Sequence, residues 1–295
     1  IFLDLPIMCL VLYICIYSFQ SSDALNRKIY EVVLELYDFK PGTSPLLMSI
    51  PHVGEYVPDD IINRVMPIGR TVGDTDWYLD RLYNFAGDLG ASILRANYSR
   101  YVIDLNRAPD SRVLYPGANN TELVPTSTFL EAPLYEIDKE PDADEITRRR
   151  ELYWEPYHQR ISDAVSELRD RFGYCILFDC HSIKSILPRF FDGKLPDFNL
   201  GTVEGASCST ELQNILSDTL SKYPSYSLAV NGRFKGGYIT RQYGNPKKGV
   251  HAFQLELSTA TYMDEKPEFQ WREDLANLVR PSLQNMLQVA INWRA

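Results

Sequence analysis

Histidine and cysteine are scarce in this chain of 295 residues, which contains four histidines and five cysteines. The cysteines are odd in number and irregularly spaced, and no Cys-x-x-Cys pair occurs. The sequence therefore indicates neither a zinc ribbon nor a redox-active pair. We expect buried, reduced thiols in a cytoplasmic protein, because disulfides are rare in that compartment.

Positive charge is also in short supply, since Lys and Arg number 30 against 39 Asp and Glu, and the formal net charge is −9. This balance argues against general nucleic-acid binding, which requires a cationic face. It leaves an anionic substrate open, because a pocket can be locally basic inside an acidic protein. Hydrophobic residues make up 45% of the chain, enough for a sizeable core.

Long apolar runs are rare, and the exception lies at the start of the chain, at residues 5–19. This run is short for a membrane helix, which needs about 20 apolar residues. It resembles the core of an export signal, but no basic residue precedes it and no clear cleavage site follows. We expect residues 1–25 to be an extension outside the fold, with no stable membrane span. Residues 26–295 are predicted to form a single cytoplasmic catalytic domain, with export as the alternative.

From residue 28 onward, strand-like and helix-like patterns alternate along the chain. Strands are predicted at 29–37, 46–50, 92–94, 100–105, 174–179, 225–230, 238–240 and 253–257, and helices at 76–89, 154–172, 210–222 and 271–292. Residues 108–142 and 185–206 lack periodicity, and the longer stretch is typical of a functional loop or lid. The alternation favours an α/β fold with a mixed, largely parallel central sheet flanked by helices. In such sheets ligands bind beyond the carboxyl ends of the strands.

Two of the four histidines follow directly on predicted buried strands. His52 and Glu55 come after strand 46–50 with His-x-x-Glu spacing, and His181 follows strand 174–179. Imidazole and carboxylate are good Zn²⁺ ligands, and a catalytic site needs three protein ligands plus water. The alternative is that each histidine only forms a hydrogen bond with a loop.

Glu256 lies between two leucines inside an apolar strand. A buried carboxylate is costly unless it is paired or lies near a cation, so this position is a candidate general base beside a metal. The alternative is an exposed position on an edge strand.

Several arginines lie in predicted loops. Asn106 and Arg107 follow strand 100–105, whereas Arg189, Arg233 and Arg241 lie among glycines and aromatic residues. Guanidinium groups bind carboxylates through two parallel hydrogen bonds, so this set is consistent with a small dicarboxylate ligand. Each arginine can instead be a solvated surface charge.

Asp74 and Asp76 open the segment predicted as helix 76–89. Either carboxylate can cap that helix by accepting a hydrogen bond from its first turn. Either can also reach a metal held by the two histidines.

Eight segments between about residues 45 and 265 resemble, in the same order, those of the N-formylglutamate amidohydrolase family, in particular its histidine-utilisation deformylase branch. The segments are SIPHVGEYVP, DTDWYLDRLY, SRYVIDLNRAPD, LYPGANNTELVP, FDCHSIKS, LPDFNLGT, GGYITRQYG and HAFQLELSTATYMDE. The resemblance implies a fold similar to zinc carboxypeptidases. It also implies an amidohydrolase of histidine degradation that cleaves N-formyl-L-glutamate into L-glutamate and formate.

The resemblance also implies roles for individual residues. His52 and His181 resemble metal ligands, and Glu256 resembles the catalytic carboxylate that takes a proton from water. Asn106 and Arg107 resemble the pair that grips a substrate carboxylate, and Arg107 is also expected to stabilise the oxyanion. One divalent ion is expected, with Zn²⁺ preferred and Co²⁺, Mn²⁺ or Fe²⁺ able to occupy the same ligands.

Two assignments stay open at this point. The third protein ligand is either Glu55 or Asp76, with a slight preference for Asp76. Arg241 and one further arginine, Arg233 or Arg189, are expected to hold the carboxylates of the substrate.

Three other functions remain as alternatives. The chain can be another N-acyl amino-acid deacylase, a carboxypeptidase acting on peptides, or an inactive amino-acid-binding protein. The oligomeric state is not readable from the sequence.

Overall fold

The centre of the fold is a mixed sheet. In the computed structural model, which describes residues 34–114, 117, 119–266 and 268–294, it contains seven strands. The strands are β1 (Tyr37–Lys40), β2 (Leu46–Ile50), β3 (Ser92–Ala96), β4 (Cys175–Ile183), β5 (Phe198–Gly201), β6 (Leu228–Val230) and β7 (Val250–Ser258). They are arranged in the order β1-β3-β2-β4-β7-β5-β6.

The four central strands β3, β2, β4 and β7 are parallel to one another. β1 is antiparallel to β3 and β5 is antiparallel to β7, while β6 is parallel to β5. Every residue of β2, β4 and β7 is buried, as expected for parallel strands that are covered on both faces. The predicted mixed, largely parallel sheet is therefore confirmed.

Helices cover both faces of the sheet. The helices are α1 (Asp59–Ile62), α2 (Leu79–Leu82), α3 (Ala143–Arg149), α4 (Glu155–Phe172), α5 (Thr210–Ser221), α6 (Tyr238–Tyr243) and α7 (Glu273–Asn292). Alternate strand residues enter two separate apolar cores: Met48 and Phe178 pack with α5 and α7, whereas Leu47 and Leu177 pack with α4 and α6. This division follows from the two-residue period of a strand.

The predicted helix over residues 76–89 is wrong. The chain forms only the single turn of α2 and a second short turn at Asn84–Ala86. Tyr78 adopts a left-handed φ of 61°, which interrupts a right-handed helix. The apolar side chains of the segment still enter the core, so their spacing resembled that of a helix.

Two predicted strands are also wrong. Residues 100–105 form turns and irregular structure, with Val102 N–H donating to Ser99 O at 2.9 Å, and Arg100 and Asp104 are buried. Residues 238–240 lie in α6. In addition, β5 lies within the stretch 185–206 that was expected to be irregular.

The N-terminal predictions lie largely outside the described residues. These are the apolar run at 5–19, most of the strand at 29–37, and the boundary after residue 25. From Leu34 onward the chain forms one compact unit. Across the residues described, none of the helices has the length and apolar character needed to cross a membrane.

Cys175, Cys180 and Cys208 are buried and free. Burial raises the pKa of Cys175 and of Cys208 to about 12, so these thiols are inert at neutral pH. This agrees with the expected reduced, structural cysteines. Cys9 and Cys15 lie outside the described residues.

His158 is buried on α4, where its ring stacks on Trp154 at a centroid distance of 3.7 Å and its Nε2 donates to Leu105 O at 2.8 Å. Burial lowers its pKa to about 4. As pH falls from about 6.5 to 4, the unfolded chain therefore binds a proton that the folded protein does not, and stability is lost.

We expect the protonation of unfolded His158 to cost about 3 kcal/mol of stability at pH 4 relative to neutral pH. Urea unfolding of the wild type and of His158→Gln, measured from pH 7 to pH 4, isolates this contribution. The free energies of unfolding of the two proteins should approach each other as the pH falls. A constant difference between them would show that His158 does not titrate as described.

Candidate functional site

A cavity opens at the carboxyl ends of β2, β4 and β7. His52 follows the end of β2, while His181 on β4 lies opposite Glu256 on β7 in the strand register. Asp76 enters from the loop before α2, and its N–H donates to His52 O at 3.0 Å. All four side chains are buried and line the cavity.

Three of these side chains converge on a common point. Asp76 Oδ2 lies 3.1 Å from His181 Nδ1 and 3.7 Å from His52 Nδ1. In the part of the chain that the structure describes, these residues form the one group of three or more His, Cys, Asp or Glu side chains whose ligand atoms all lie within 4.8 Å of one another. Donors around a tetrahedral Zn²⁺ are roughly 3.3 Å apart, given metal–ligand distances of about 2.0–2.2 Å. The group can therefore hold a divalent ion.

A buried carboxylate contacts each histidine at Nε2, on the side of the ring away from Asp76. His52 Nε2 donates to Asp104 Oδ1 at 2.7 Å, and His181 Nε2 donates to Asp179 Oδ1 at 2.7 Å. With an ion bound beside Asp76 and the remaining ring proton on Nε2, each Nδ1 would offer its lone pair to that ion. Carboxylate partners of this kind fix the tautomer and the ring orientation of metal-binding histidines.

Buried charges shift the pKa values of these groups. Burial alone raises the pKa of Asp76, but His181 and His52 outweigh it and hold the pKa below its ordinary value. Asp104 behaves in the same way, with its pKa lowered by His52, Arg107 and Arg100. Both carboxylates therefore stay ionised at neutral pH.

Arg100 is the buried cation of the site. Its guanidinium donates to Asp104 Oδ2 at 2.7 Å and lies 3.5 Å from Asp76 Oδ1. It also packs over the Phe129 ring at 4.6 Å. Although burial opposes its charge, Asp104 and Asp76 raise its pKa above the ordinary value, so Arg100 remains protonated.

Glu55 lies away from the histidines. Its flanking valines, Val53 and Val57, are buried, whereas Glu55 itself is exposed and has Arg95 and Asp80 as charged neighbours. The geometry thus brings Asp76 to His52 and His181 and leaves Glu55 outside the group.

Glu256 projects from β7 into the cavity, only 8% exposed. Burial raises its pKa to about 7, although His181 partly opposes this shift. A carboxylate with a pKa near neutrality can accept and return a proton efficiently at physiological pH. The buried position that the sequence suggested for Glu256 is observed, and the edge-strand alternative does not apply.

Asn106 and Arg107 both line the cavity. The Asn106 amide donates to Asp179 Oδ2 at 3.1 Å and accepts from Ile239 N–H at 2.7 Å. Arg107 donates to Thr121 Oγ1 and to Asn106 O, so its guanidinium is anchored at the edge of the cavity.

The remaining predicted arginines have different locations. Arg233 lines the cavity and donates to Phe190 O at 2.6 Å. Arg189 donates to Ser127 Oγ at 3.1 Å and joins two loops. Arg241, on α6, lines a separate surface depression and not the cavity. The structure therefore brings Arg233, but neither Arg189 nor Arg241, to the cavity.

Comparisons with known proteins agree with this geometry. A sequence model of the N-formylglutamate amidohydrolase family matches residues 44–263. The chain is 46% identical over 261 residues to the N-formylglutamate deformylase of Pseudomonas putida, an alignment that covers 88% of this chain and 97% of the relative. The N-formylglutamate deformylase of Pseudomonas aeruginosa PAO1 is 46% identical over 259 residues, with the same coverage.

The chain belongs to the N-formylglutamate amidohydrolase family. The predicted family and class of enzyme, an amidohydrolase, are thereby confirmed. A crystal structure of N-formylglutamate amidohydrolase from Ralstonia eutropha JMP134 is also similar, with a TM-score of 0.74 and 27% sequence identity. The match covers 87% of this chain and 97% of that chain.

Several residues of this amidohydrolase site are not predicted by the sequence analysis. Arg100 and Asp104 enclose three apolar residues, so the segment resembled a strand. Their opposite charges, four residues apart, were the available indication that the two side chains pair. Asp179 is the last residue of the predicted strand 174–179, and no role is predicted for it. Gln254 had no distinguishing pattern in the sequence.

We expect Asp104→Asn and Asp179→Asn each to lower the affinity for a divalent ion by about 10- to 100-fold, because the histidines lose their orienting carboxylates. Competition with a chromophoric chelator measures this affinity directly. Asp110→Asn is the matched control, since Asp110 is exposed and pairs with Arg112. Unchanged affinity in both buried variants would contradict the orienting role.

Proposed function

We propose that this chain hydrolyses N-formyl-L-glutamate to L-glutamate and formate, as a cytoplasmic step of histidine degradation. The observation that carries the proposal is the buried group of His52, Asp76 and His181 with Glu256 beside it. Membership of the family and the names of both curated relatives support the choice of substrate.

His52, Asp76 and His181 would hold the ion, with Zn²⁺ as the expected metal. When bound, a divalent ion supplies Lewis-acid polarisation of the formyl carbonyl and makes water more acidic. Glu256 accepts a proton from the attacking water and then donates it to the leaving amino group of glutamate. Burial raises the pKa of this carboxyl group, whereas a bound cation would lower it, so the two effects oppose each other.

The two carboxylates of the substrate match the basic lining of the cavity. Arg107 and Arg233 reach the cavity from its edge and are assigned to these carboxylates. Arg100 is already paired with Asp104 and Asp76, so its role is to balance their charge. Holding the substrate at both ends places the short formyl group next to Glu256.

Formate release from N-formyl-L-glutamate tests the proposal directly. We expect turnover by the metal-loaded protein, loss of turnover with chelator, and recovery when Zn²⁺ is restored. N-acetyl- and N-succinyl-L-glutamate and a panel of short peptides should be turned over far more slowly. Preference for one of those compounds would identify another deacylase or a carboxypeptidase.

Glu256→Gln separates catalysis from metal binding. We expect the variant to keep its metal content and to lose at least about 100-fold in kcat, because an amide cannot accept the proton. Metal analysis and initial rates measure the two effects on one sample. A variant with nearly full activity would remove Glu256 from its proposed role.

A further inference from the structure

Gln254 shares the cavity face of β7 with Glu256. Residues two apart on a strand project to the same side, and both side chains line the cavity while Leu255 between them enters the apolar core. Gln254 is only 3% exposed. A buried amide needs partners for both its oxygen and its nitrogen, because an unsatisfied polar group is costly.

The orientation of the Gln254 amide is set by the main chain. Gly237 N–H donates to Gln254 Oε1 at 2.6 Å. A backbone N–H can only donate, so the oxygen of the amide must face Gly237 and its NH₂ group must face the other way. That NH₂ group donates to Glu256 Oε2 at 3.0 Å.

Close packing holds Gly237 in place. A Cβ at this position would lie 2.2 Å from Asn106 Nδ2, so any side chain here would clash. The absence of a side chain lets the main chain approach the cavity wall closely enough to donate to Gln254. The donor that orients Gln254 is therefore part of a tightly packed segment.

Within the described residues, Gln254 is the only hydrogen-bond donor to the Glu256 carboxylate. A glutamate side chain has three rotatable bonds, and losing that freedom on ordering costs free energy unless contacts offset it. Hydrogen bonds to a charged group are among the stronger ones in proteins. Gln254 is thus the contact that can select one orientation of this carboxylate.

We propose that Gln254 is a positioning residue, which transmits the fixed position of Gly237 to Glu256 and holds its carboxylate toward the reacting group. The proposal rests on the proposed function, since it assigns Gln254 a role through the catalytic base.

Gln254→Met tests this role, because Met keeps the length of the side chain and removes both hydrogen bonds. We expect kcat to fall about 10- to 100-fold, since small misplacements of a catalytic group have effects of this size. The KM should change less than about threefold, and the metal content should stay that of the wild type. A raised KM with unchanged kcat would identify a substrate contact and overturn the proposal.

A double-mutant cycle with Glu256→Ala provides the decisive comparison. If Gln254 acts through the carboxylate, Gln254→Met should cause no further loss of turnover once Glu256 is gone. Additive losses would mean that Gln254 acts independently of Glu256. The control is Gln213→Met, which removes an amide from a hydrogen-bond network with Thr202 and Asn231 outside the cavity and should leave kcat unchanged.

Gln254→Glu covers the case in which Gln254→Met fails to fold. It keeps an oxygen that accepts from Gly237 N–H and replaces the donating NH₂ group with a second acceptor. At alkaline pH the new carboxyl group is ionised and cannot donate, so kcat should fall as it does in Gln254→Met. Unchanged kcat in this variant would overturn the proposal.

Crystal structures give a readout that does not depend on the substrate. The Glu256 carboxylate should occupy one position in the wild type and several in the Gln254 variants, and one shared position would overturn the proposal. If the wild type failed to hydrolyse N-formyl-L-glutamate, the proposed function would fail while this comparison still decided the role of Gln254.

Discussion

The site depends on the compensation of several carboxylates that are buried in one small volume. Asp76, Asp104, Asp179 and Glu256 are all buried, with Arg100 as the buried cation beside them. Taking an ion from water into a protein interior costs several kcal/mol unless opposite charges and hydrogen bonds offset it. The guanidinium groups of Arg100 and Arg107 and the hydrogen bonds from the two imidazoles offset part of this negative charge. A divalent cation held by His52, Asp76 and His181 would add further positive charge to the same cluster.

The sequence predicted the parts of the fold that local pattern determines. Continuous apolar runs identified β2, β4 and β7. Prediction failed where apolar residues are buried without regular structure. Residues 76–89 and 100–105 pack their apolar side chains into the core from turns, so their spacing resembled a helix and a strand. Each segment also carries a charged side chain into the interior, since Asp76 contacts His181 and Arg100 pairs with Asp104.

In the candidate site, too, the residues that local pattern determines could be predicted, and those that depend on distant contacts could not. His52, His181 and Glu256 could be found because each lies at or near the end of a buried strand, and parallel strands bring such ends together. The arginines could not be sorted in this way. A guanidinium lies at the end of a long flexible side chain, and its partner is fixed by loops distant in sequence. Arg189 illustrates this, since it bonds Ser127 rather than entering the cavity.

Residues 238–240, which were predicted as a strand, lie in α6, and this affects the main-chain hydrogen bonds beside the cavity. In a strand, the N–H groups of this segment would be used by neighbouring strands. At the start of a helix they have no partner within the helix and are available to side chains. Gly237 N–H donates to Gln254, and Ile239 N–H donates to Asn106. Both side-chain amides line the cavity. Gln254 donates to Glu256, and Asn106 donates to Asp179, which accepts from His181. The first turn of α6 therefore contributes main-chain donors to the wall of the cavity.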